Sequence, residues 1–492
     1  MFWIGIILIL EFASLATVFV PVARTVMAIT AGAIVAFVTL RRPTIGLALI
    51  ALELAIGSKG ALLKITEGAE VDGGISLRII IFSCFMIAWL VNAIIYWKNN
   101  SKKLKPAITK ILKGRWAWIA LFLVCIWGFV RGLCLKNINL ISDANAWIFL
   151  TLIIPVLDAA RRDGENLIND VSRALVAAFL WLPVKTLLLL YVWSHGIASL
   201  SQPLYLWVRR TGVAEVTLVT GNLFRVFIQS QVYALFGFLF GLSYLSYRTD
   251  RINETNRTNK KLGYAILIGT AVSILISLSR SFWVGLAAGV VVFFILKLCH
   301  IERSRDIFKL ANPILNFFVA IGAGILLIFS VVAFPLPRVD VGSLSTLFGS
   351  RGSTTDVAAE SRWNLLPVLA EKIKQAPILG SGFGATVTYK SKDPRILAKD
   401  AEGLYTTYAF EWGWLEHWIK FGILGIPIML WLVLSLAWRV NRSKTETWVK
   451  VGLISSLAAL SALHVFTPYL NHPLGFGVLL SVEAMIEASK RT

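Results

Sequence analysis

Runs of roughly 20 apolar residues recur from one end of this chain to the other, and that repetition constrains the fold more than any motif. A hydrocarbon layer about 30 Å thick is crossed by about 20 residues of helix. Inside it each segment must satisfy its own backbone polar groups, which leaves helices for sequence of this kind. Spans are expected near 2–20, 25–40, 44–57, 77–97, 116–134, 145–160, 173–193, 226–246, 262–279, 282–298, 312–334, 404–438, 451–467 and 473–488. The stretch 404–438 reads as a broken or extended element. The total is about 14, with 12 to 14 consistent with the shorter runs. With 57% hydrophobic and 15% charged residues among 492, the chain reads as an all-α polytopic membrane protein and not a soluble domain. Met1-Phe2-Trp3-Ile4 has no basic stretch before it, so the first apolar run reads as a retained span rather than a signal peptide.

The net charge of +21 does not point to nucleic acid. The bases fall in short loops, as the positive-inside rule expects. Lys98 to Arg115 carries seven bases and no acid, and 248–261, 297–309 and 439–450 are also base-rich. Arg41-Arg42 and Arg161-Arg162 fall on the same side when the spans alternate, which puts these loops and both termini in the cytoplasm. Cys84, Cys125, Cys134 and Cys299 are scattered without metal-ligand spacing, so neither a disulfide framework nor a zinc site is expected.

Charge on the outward side runs against that bias and is therefore informative. It occurs in 194–225 (Arg209, Arg210, Glu215, Arg225), in the tight turn Ser279-Arg280-Ser281, and in a long segment from about Pro335 to Gly403. The chain divides into N-terminal helices 1–193, central helices with outward arginines 194–334, a long extracytoplasmic segment 335–425 with the motifs, and C-terminal helices 426–492. Within 335–425, Trp363 to Gln375 is amphipathic and is expected to lie on the membrane surface.

Three marks occur in order. Ser279-Arg280-Ser281-Phe282-Trp283 opens a span. Arg362-Trp363 is followed by Pro377-Ile378-Leu379-Gly380-Ser381-Gly382-Phe383-Gly384. A third block runs from Glu411 to Gly425 and ends Gly422-Ile423-Leu424-Gly425. Together they resemble the O-antigen ligase / O-antigen polymerase superfamily of bacterial envelope enzymes, over roughly residues 200–440. The resemblance implies a GT-C-like membrane glycosyltransferase of the inner membrane, working on the periplasmic face. Its donor would be an undecaprenyl-pyrophosphate-linked glycan and its acceptor a second lipid-linked glycan, or lipid A-core in a ligase. It implies inversion at the anomeric carbon, no metal and no cofactor, with membrane lipids and a chain-length regulator as further candidate partners. Where ligases carry a His before the Gly-x-x-Gly block, this chain has Glu411. That feature resembles the exopolysaccharide-polymerase branch.

The chemistry asks for two things. Charge on the departing pyrophosphate needs cations, and arginine binds phosphate in a fork. Arg225, Arg280 and Arg362 are the candidates, while Arg209, Arg210, Arg338, Arg351 and Arg395 read as loop charges. The acceptor hydroxyl must lose a proton. Glu411 lies between Phe410 and Trp412, a setting that would raise its pKa towards that of a general base, and His417 is the alternative. The six-residue step places Glu411 and His417 on different helix faces, so one base is expected, not a dyad. His464 and His472 read as structural or interfacial. The Gly380–Gly384 run lacks a following Gly-Lys-Ser/Thr and is not read as a nucleotide loop, but as a sharp backbone turn beside substrate. A flippase or transporter is the rival of another class and would need charge inside the spans.

Overall fold

The computed structural model describes residues 1–65, 74–99, 114–248, 254–301, 310–335, 357–391, 394–398 and 400–490. Arg338 and Arg351 lie outside these residues, as does the Arg395 side chain. Helices dominate: Phe2–Phe19, Ala23–Arg41, Pro43–Ile56, Leu77–Asn99, Trp116–Cys134, Ile153–Ser194, Val232–Arg248, Glu254–Ser277, Arg280–Ile301, Ala311–Ala333, Gly425–Asn441, Thr447–Leu463 and Pro473–Ala488. Nine candidate spans among the described residues are long and apolar enough to cross a membrane, and Pro43–Ile56 and Thr447–Leu463 are shorter apolar helices. The chain is a multi-pass, all-α membrane protein.

The burial pattern fits lipid on the outside. Phe2–Phe19 buries Trp3, Ile7, Glu11, Ser14 and Thr17, one stripe at helical spacing, while Ile9 and Phe12 stay exposed. Ala311–Ala333 buries Pro313, Asn316, Ala320, Gly324, Ile328 and Val332, with Phe318 and Leu326 exposed. Such helices turn apolar side chains outward, which only a hydrocarbon solvent tolerates over this area. Small residues set the close approaches: a Cβ on Gly32 would meet Ile80 and Cys84 of the neighbouring helix.

Most expected spans begin and end within a few residues of the observed helices. Two differ. The runs 145–160 and 173–193 are joined: a 3₁₀ turn, Asn145–Leu152, leads into Ile153–Ser194, which is bent at Asp163 (φ −151°, ψ 64°). The polar residues 161–172 continue as helix because Arg161 and Arg162 find carboxylate partners in Glu487 and Asp158. The stretch 404–438 is broken, as expected, into a strand, the short helix Gly413–Phe421, a 3₁₀ turn and Gly425–Asn441. Three small antiparallel hairpins are not legible in the sequence: Lys64–Ile65 with Ile75–Ser76, Glu215–Thr220 with Leu223–Phe227, and Val387–Lys390 with Leu404–Thr407. Gly221 at φ +51° makes the tight turn of the second.

The base-rich ends gather at one end of the bundle. Asn92 donates to the Leu40 carbonyl, Arg162 to Asn92, Thr44 to Asp170, and Lys297 to the Ser246 carbonyl. All three hairpins and the turn at 278–281 lie at the other end. Charges that enter the bundle are matched there: Lys185 with Glu11 (2.5 Å), and Arg78 with Glu53 (2.9 Å). At the basic end Glu483 is fully buried and takes Arg115 (2.8 Å), Arg439 (2.6 Å) and the Trp118 indole (3.0 Å), so three helices share one carboxylate. Removing that charge leaves the buried Arg115 and the half-buried Arg439 guanidinium groups without it. Glu483→Gln should therefore destabilise the protein by about 3–5 kcal/mol, against about 1 kcal/mol for an exposed acid such as Glu371→Gln. Thermal unfolding in detergent micelles reads this, and equal midpoints for the two variants would contradict it.

Candidate active site

The site is built where a short helix stops. Gly413–Phe421 ends at Gly422 (φ 71°, ψ −158°), and the chain restarts as Gly425–Asn441. The run Gly380–Gly384 fits into the gap beside that break. Gly382 and Gly384 are left-handed (φ +74° and +75°). A Cβ on Gly382 would strike the backbone of Gly132, and one on Gly384 the backbone of Leu140. Only glycine permits this approach.

Every amide in the run is used. Gly380 donates to Ala376 O (3.0 Å), Ser381 to Ile419 O (2.6 Å), Gly382 to Lys420 O (3.2 Å) and Phe383 to Gly128 O (3.0 Å). Gly384 donates to the Asp143 carboxylate (2.7 Å). Asn137 donates back to the carbonyls of Ser381 (2.9 Å) and Phe383 (2.7 Å). No N–H remains for a phosphate, so the run is a clasp between helix ends. The sequence had suggested a turn beside substrate; the backbone is turned instead into the protein.

Behind the clasp is a buried charge cluster. Lys420 donates to Asp143 (2.5 Å) and to Glu416, and all three are at least 92% buried. Asp143 thus binds the clasp with one oxygen and Lys420 with the other. Sequence reasoning missed Asp143 and Glu416. The four-residue step from Glu416 to Lys420 was a readable signal; Asp143, distant in sequence, was not.

Glu411 precedes the helix instead of sitting on it, so the expected helix-face relation to His417 does not arise. Phe410 turns inward and is 1% exposed, whereas the Glu411 side chain is 54% exposed. The aromatic enclosure expected around Glu411 is therefore absent, because neighbouring residues of a non-helical segment face opposite ways. Glu411 is instead ion-paired with Arg362, and Trp412 fixes the pair by donating its indole N–H to the Arg362 carbonyl (3.0 Å). Arg362 rides on the helix Val357–Gln375. That helix buries Leu365 and Leu369 against Ala385, Val387, Phe410 and Ile419, a small second core capping the bundle. The surface helix expected here thus has a protein partner for its apolar face.

His417 is fully buried among Trp147, Trp414, Phe421 and His464, with the two imidazoles 4.8 Å apart. Among the described residues the Asn471 side chain is the polar group against its ring. His472 accepts from the Leu474 amide and caps the last helix, and burial together with Arg78 holds its pKa down to about 3, so it is neutral.

Arg225 and Arg280 meet at another corner of the same end. Arg225, on the second hairpin, donates to the Ser277 carbonyl (2.7 Å), the last residue of Glu254–Ser277, and stacks on Phe227. Arg280 begins the next helix after Leu278 (φ +45°). One loop separates this corner from the Glu411–Arg362 pair. Phe466 packs on Trp412 (5.4 Å between ring centroids), and the adjacent Thr467 donates to Ser281 (3.0 Å). Tyr469 donates to the Gln229 carbonyl (2.9 Å) from the same loop. The candidates Arg225, Arg280, Arg362 and Glu411 thus flank a single loop, while His417 lies beneath it in a closed aromatic box. Arg209 and Arg210 end the helix Ala198–Thr211 at this end of the bundle.

Lys420→Met would leave Asp143 and Glu416 buried together without their cation. A loss of about 3–5 kcal/mol is expected. Glu416→Gln in the Lys420→Met background should recover part of it, a double-mutant cycle that checks the coupling by thermal unfolding.

A family model described as O-antigen ligase matches residues 265–430. The match takes in Arg280, Arg362, the clasp, Glu411 and the helix break. No curated protein and no solved structure matches the chain. Residues 265–430, about a third of the 492, thus support a place in the O-antigen ligase / O-antigen polymerase superfamily.

Proposed function

We propose that this protein is an inner-membrane glycosyltransferase that lengthens undecaprenyl-pyrophosphate-linked glycans on the face opposite the basic loops. The basic loops and both termini are then cytoplasmic, by the positive-inside bias. The observation that carries the reading is the partly exposed Arg362–Glu411 pair set across one loop from Arg225 and Arg280.

In the proposed reaction an acceptor hydroxyl attacks the anomeric carbon from the side opposite the pyrophosphate. A C–O bond to the acceptor forms, the bond to the pyrophosphate oxygen breaks, and configuration inverts. The hydroxyl proton passes to Glu411, and the departing pyrophosphate carries the bonding electron pair. Arg225, Arg280 and Arg362 hold its charge as it develops. The pairing of Arg362 with Glu411 adds an order of events. An exposed ion pair is worth only about 0–1 kcal/mol, whereas a pyrophosphate offers an arginine charge-assisted, two-point binding. The arriving donor draws Arg362 away and leaves Glu411 an unpaired carboxylate, ready as a base. His417, enclosed, supports the helix that follows Glu411.

Glu411 at the position where ligases carry His favours polymerase over ligase. The transport reading would use the Glu11–Lys185 pair inside the spans, but that pair is closed on itself, with exposures of 6% and 2%.

The decisive experiment incubates purified protein with a short lipid-pyrophosphate glycan, EDTA and no ion gradient. Wild type should build a ladder of longer lipid-linked glycans. Glu411→Gln should lower the rate by about 10²-fold or more. Transfer only after lipid A-core is added would make the protein a ligase, and unchanged glycan under both conditions would reject the enzyme. Each of Arg225→Lys, Arg280→Lys and Arg362→Lys should lower turnover by roughly 10- to 100-fold at unchanged expression. Full activity in all three would remove the pyrophosphate role.

A further inference from the structure

A cavity of about 390 Å³ lies between five helices, away from the candidate site. Its walls come from Ile153–Ser194, Val232–Arg248, Glu254–Ser277, Thr447–Leu463 and Pro473–Ala488. It runs along the first of these from Leu167 to Phe179, about 18 Å at the helical rise. The lining is mainly apolar, with Leu175, Phe236, Phe240 and Ile266 typical. Its upper limit is at Phe179, midway along the limb after the Asp163 bend, and at Tyr233, in the first turn of Val232–Arg248, whose hydroxyl donates to the Leu474 carbonyl at the site end (3.0 Å). The other limit, at Ser172, Asn259, Tyr244 and Trp448, is at the basic end.

Three walls carry a cation beside a lining residue at that end: Arg173 after Ser172, Lys260 and Lys261 between Asn259 and Leu262, and Lys450 after Val449. Lys450 also donates to the Asn441 carbonyl (3.2 Å), Glu165 is an exposed acid two residues before Leu167, and two further acids close by are engaged elsewhere. Asp170 accepts from Thr44 (2.9 Å) and Glu446 from the Trp448 indole (2.6 Å).

We propose that this cleft holds one acyl chain of an anionic phospholipid from the leaflet on the basic side. A cavity this apolar does not hold water well. Among membrane spans the fluid at its edge is hydrocarbon, and its length suits one acyl chain. The cations at the mouth match a phosphate headgroup lacking a compensating amine, since basic groups near an anionic surface are attracted to it. The polar mouth and its cations are at the basic end, away from Arg225, Arg280, Arg362 and Glu411, so the occupant enters there as a phospholipid of that leaflet and not as the donor's polyprenyl chain. The proposal is independent of the reaction assigned above. It makes the protein sensitive to the composition of the leaflet opposite its site.

The test uses the whole protein, purified in mild detergent, stripped of lipid and then mixed with phosphatidylglycerol or phosphatidylcholine. Bound lipid is counted by mass spectrometry and the unfolding midpoint is followed. About one phosphatidylglycerol per chain should remain, retained about tenfold better than phosphatidylcholine, with a midpoint raised by about 3 °C. The double variant Ser172→Phe/Val176→Trp projects bulk into the cleft from two half-buried positions and should lose both effects. Its lipid-free midpoint should match that of the wild type. If it does not fold, the exposed pair Lys260→Glu/Lys261→Glu replaces it and should abolish the preference for phosphatidylglycerol. Equal retention of the two lipids by wild type, equal retention by wild type and variants, or a polyprenyl chain recovered in place of the phospholipid would overturn the proposal.

Discussion

The structure of the site depends on one backbone-to-backbone clasp. At Gly382 and Gly384 the chain lies so close to Gly132 and Leu140 that no side chain fits between them. Close approach of this kind removes water from both strands of backbone, and an unsatisfied amide there costs several kcal/mol. The clasp meets that requirement by spending all five of its amides, the last of them on Asp143. Asp143 must then be balanced, and Lys420 balances it from the last turn of Gly413–Phe421. A packing constraint thereby becomes an electrostatic one. Three segments distant in sequence (128–143, 380–384 and 413–422) are fixed as one unit. Glu411 lies two residues before that unit and inherits its rigidity without being buried in it.

How much of this was legible follows from the range of the interactions. Span positions were readable because hydrocarbon selects composition locally, and the ends of Trp116–Cys134 and Pro473–Ala488 fell where the sequence put them. Arg362 and Glu411 were readable as charges on the side where bases are depleted, though not as partners: 49 residues separate them. The enclosure expected for Glu411 failed because flanking aromatics were taken to surround it. In a non-helical segment Phe410 goes in and Glu411 goes out. His417 looked available because it sits near the motif in sequence, but its helix turns it towards Trp147. The turn at Gly380–Gly384 was readable from its glycines but its partners were not, since spacing says that a backbone turns and not what it turns against. Asp143, and the contacts by which the loop 464–472 joins the two corners, were not readable because the partners are 277 and 186 residues away.

The two ends of the bundle use charge in opposite ways, and the contrast bears on mechanism. At the basic end Glu483 and Glu487 are enclosed with Arg115, Arg161 and Arg439, and separating them would bare buried charge. Such contacts hold helices together and do not exchange. At the other end the enclosed charges (Asp143, Glu416 and Lys420) lie below the surface, and the pair above them, Arg362 with Glu411, is open to solvent. An open pair is weak enough to be replaced by an incoming anion, and the Glu411 carboxylate is reachable from solvent. Were Glu411 buried as Glu416 is, neither exchange could occur without unpacking the second core around Leu365, Leu369 and Phe410. Rigid burial beneath and a loose pair on top are what a site requires if it is to release one partner and take another at every turnover.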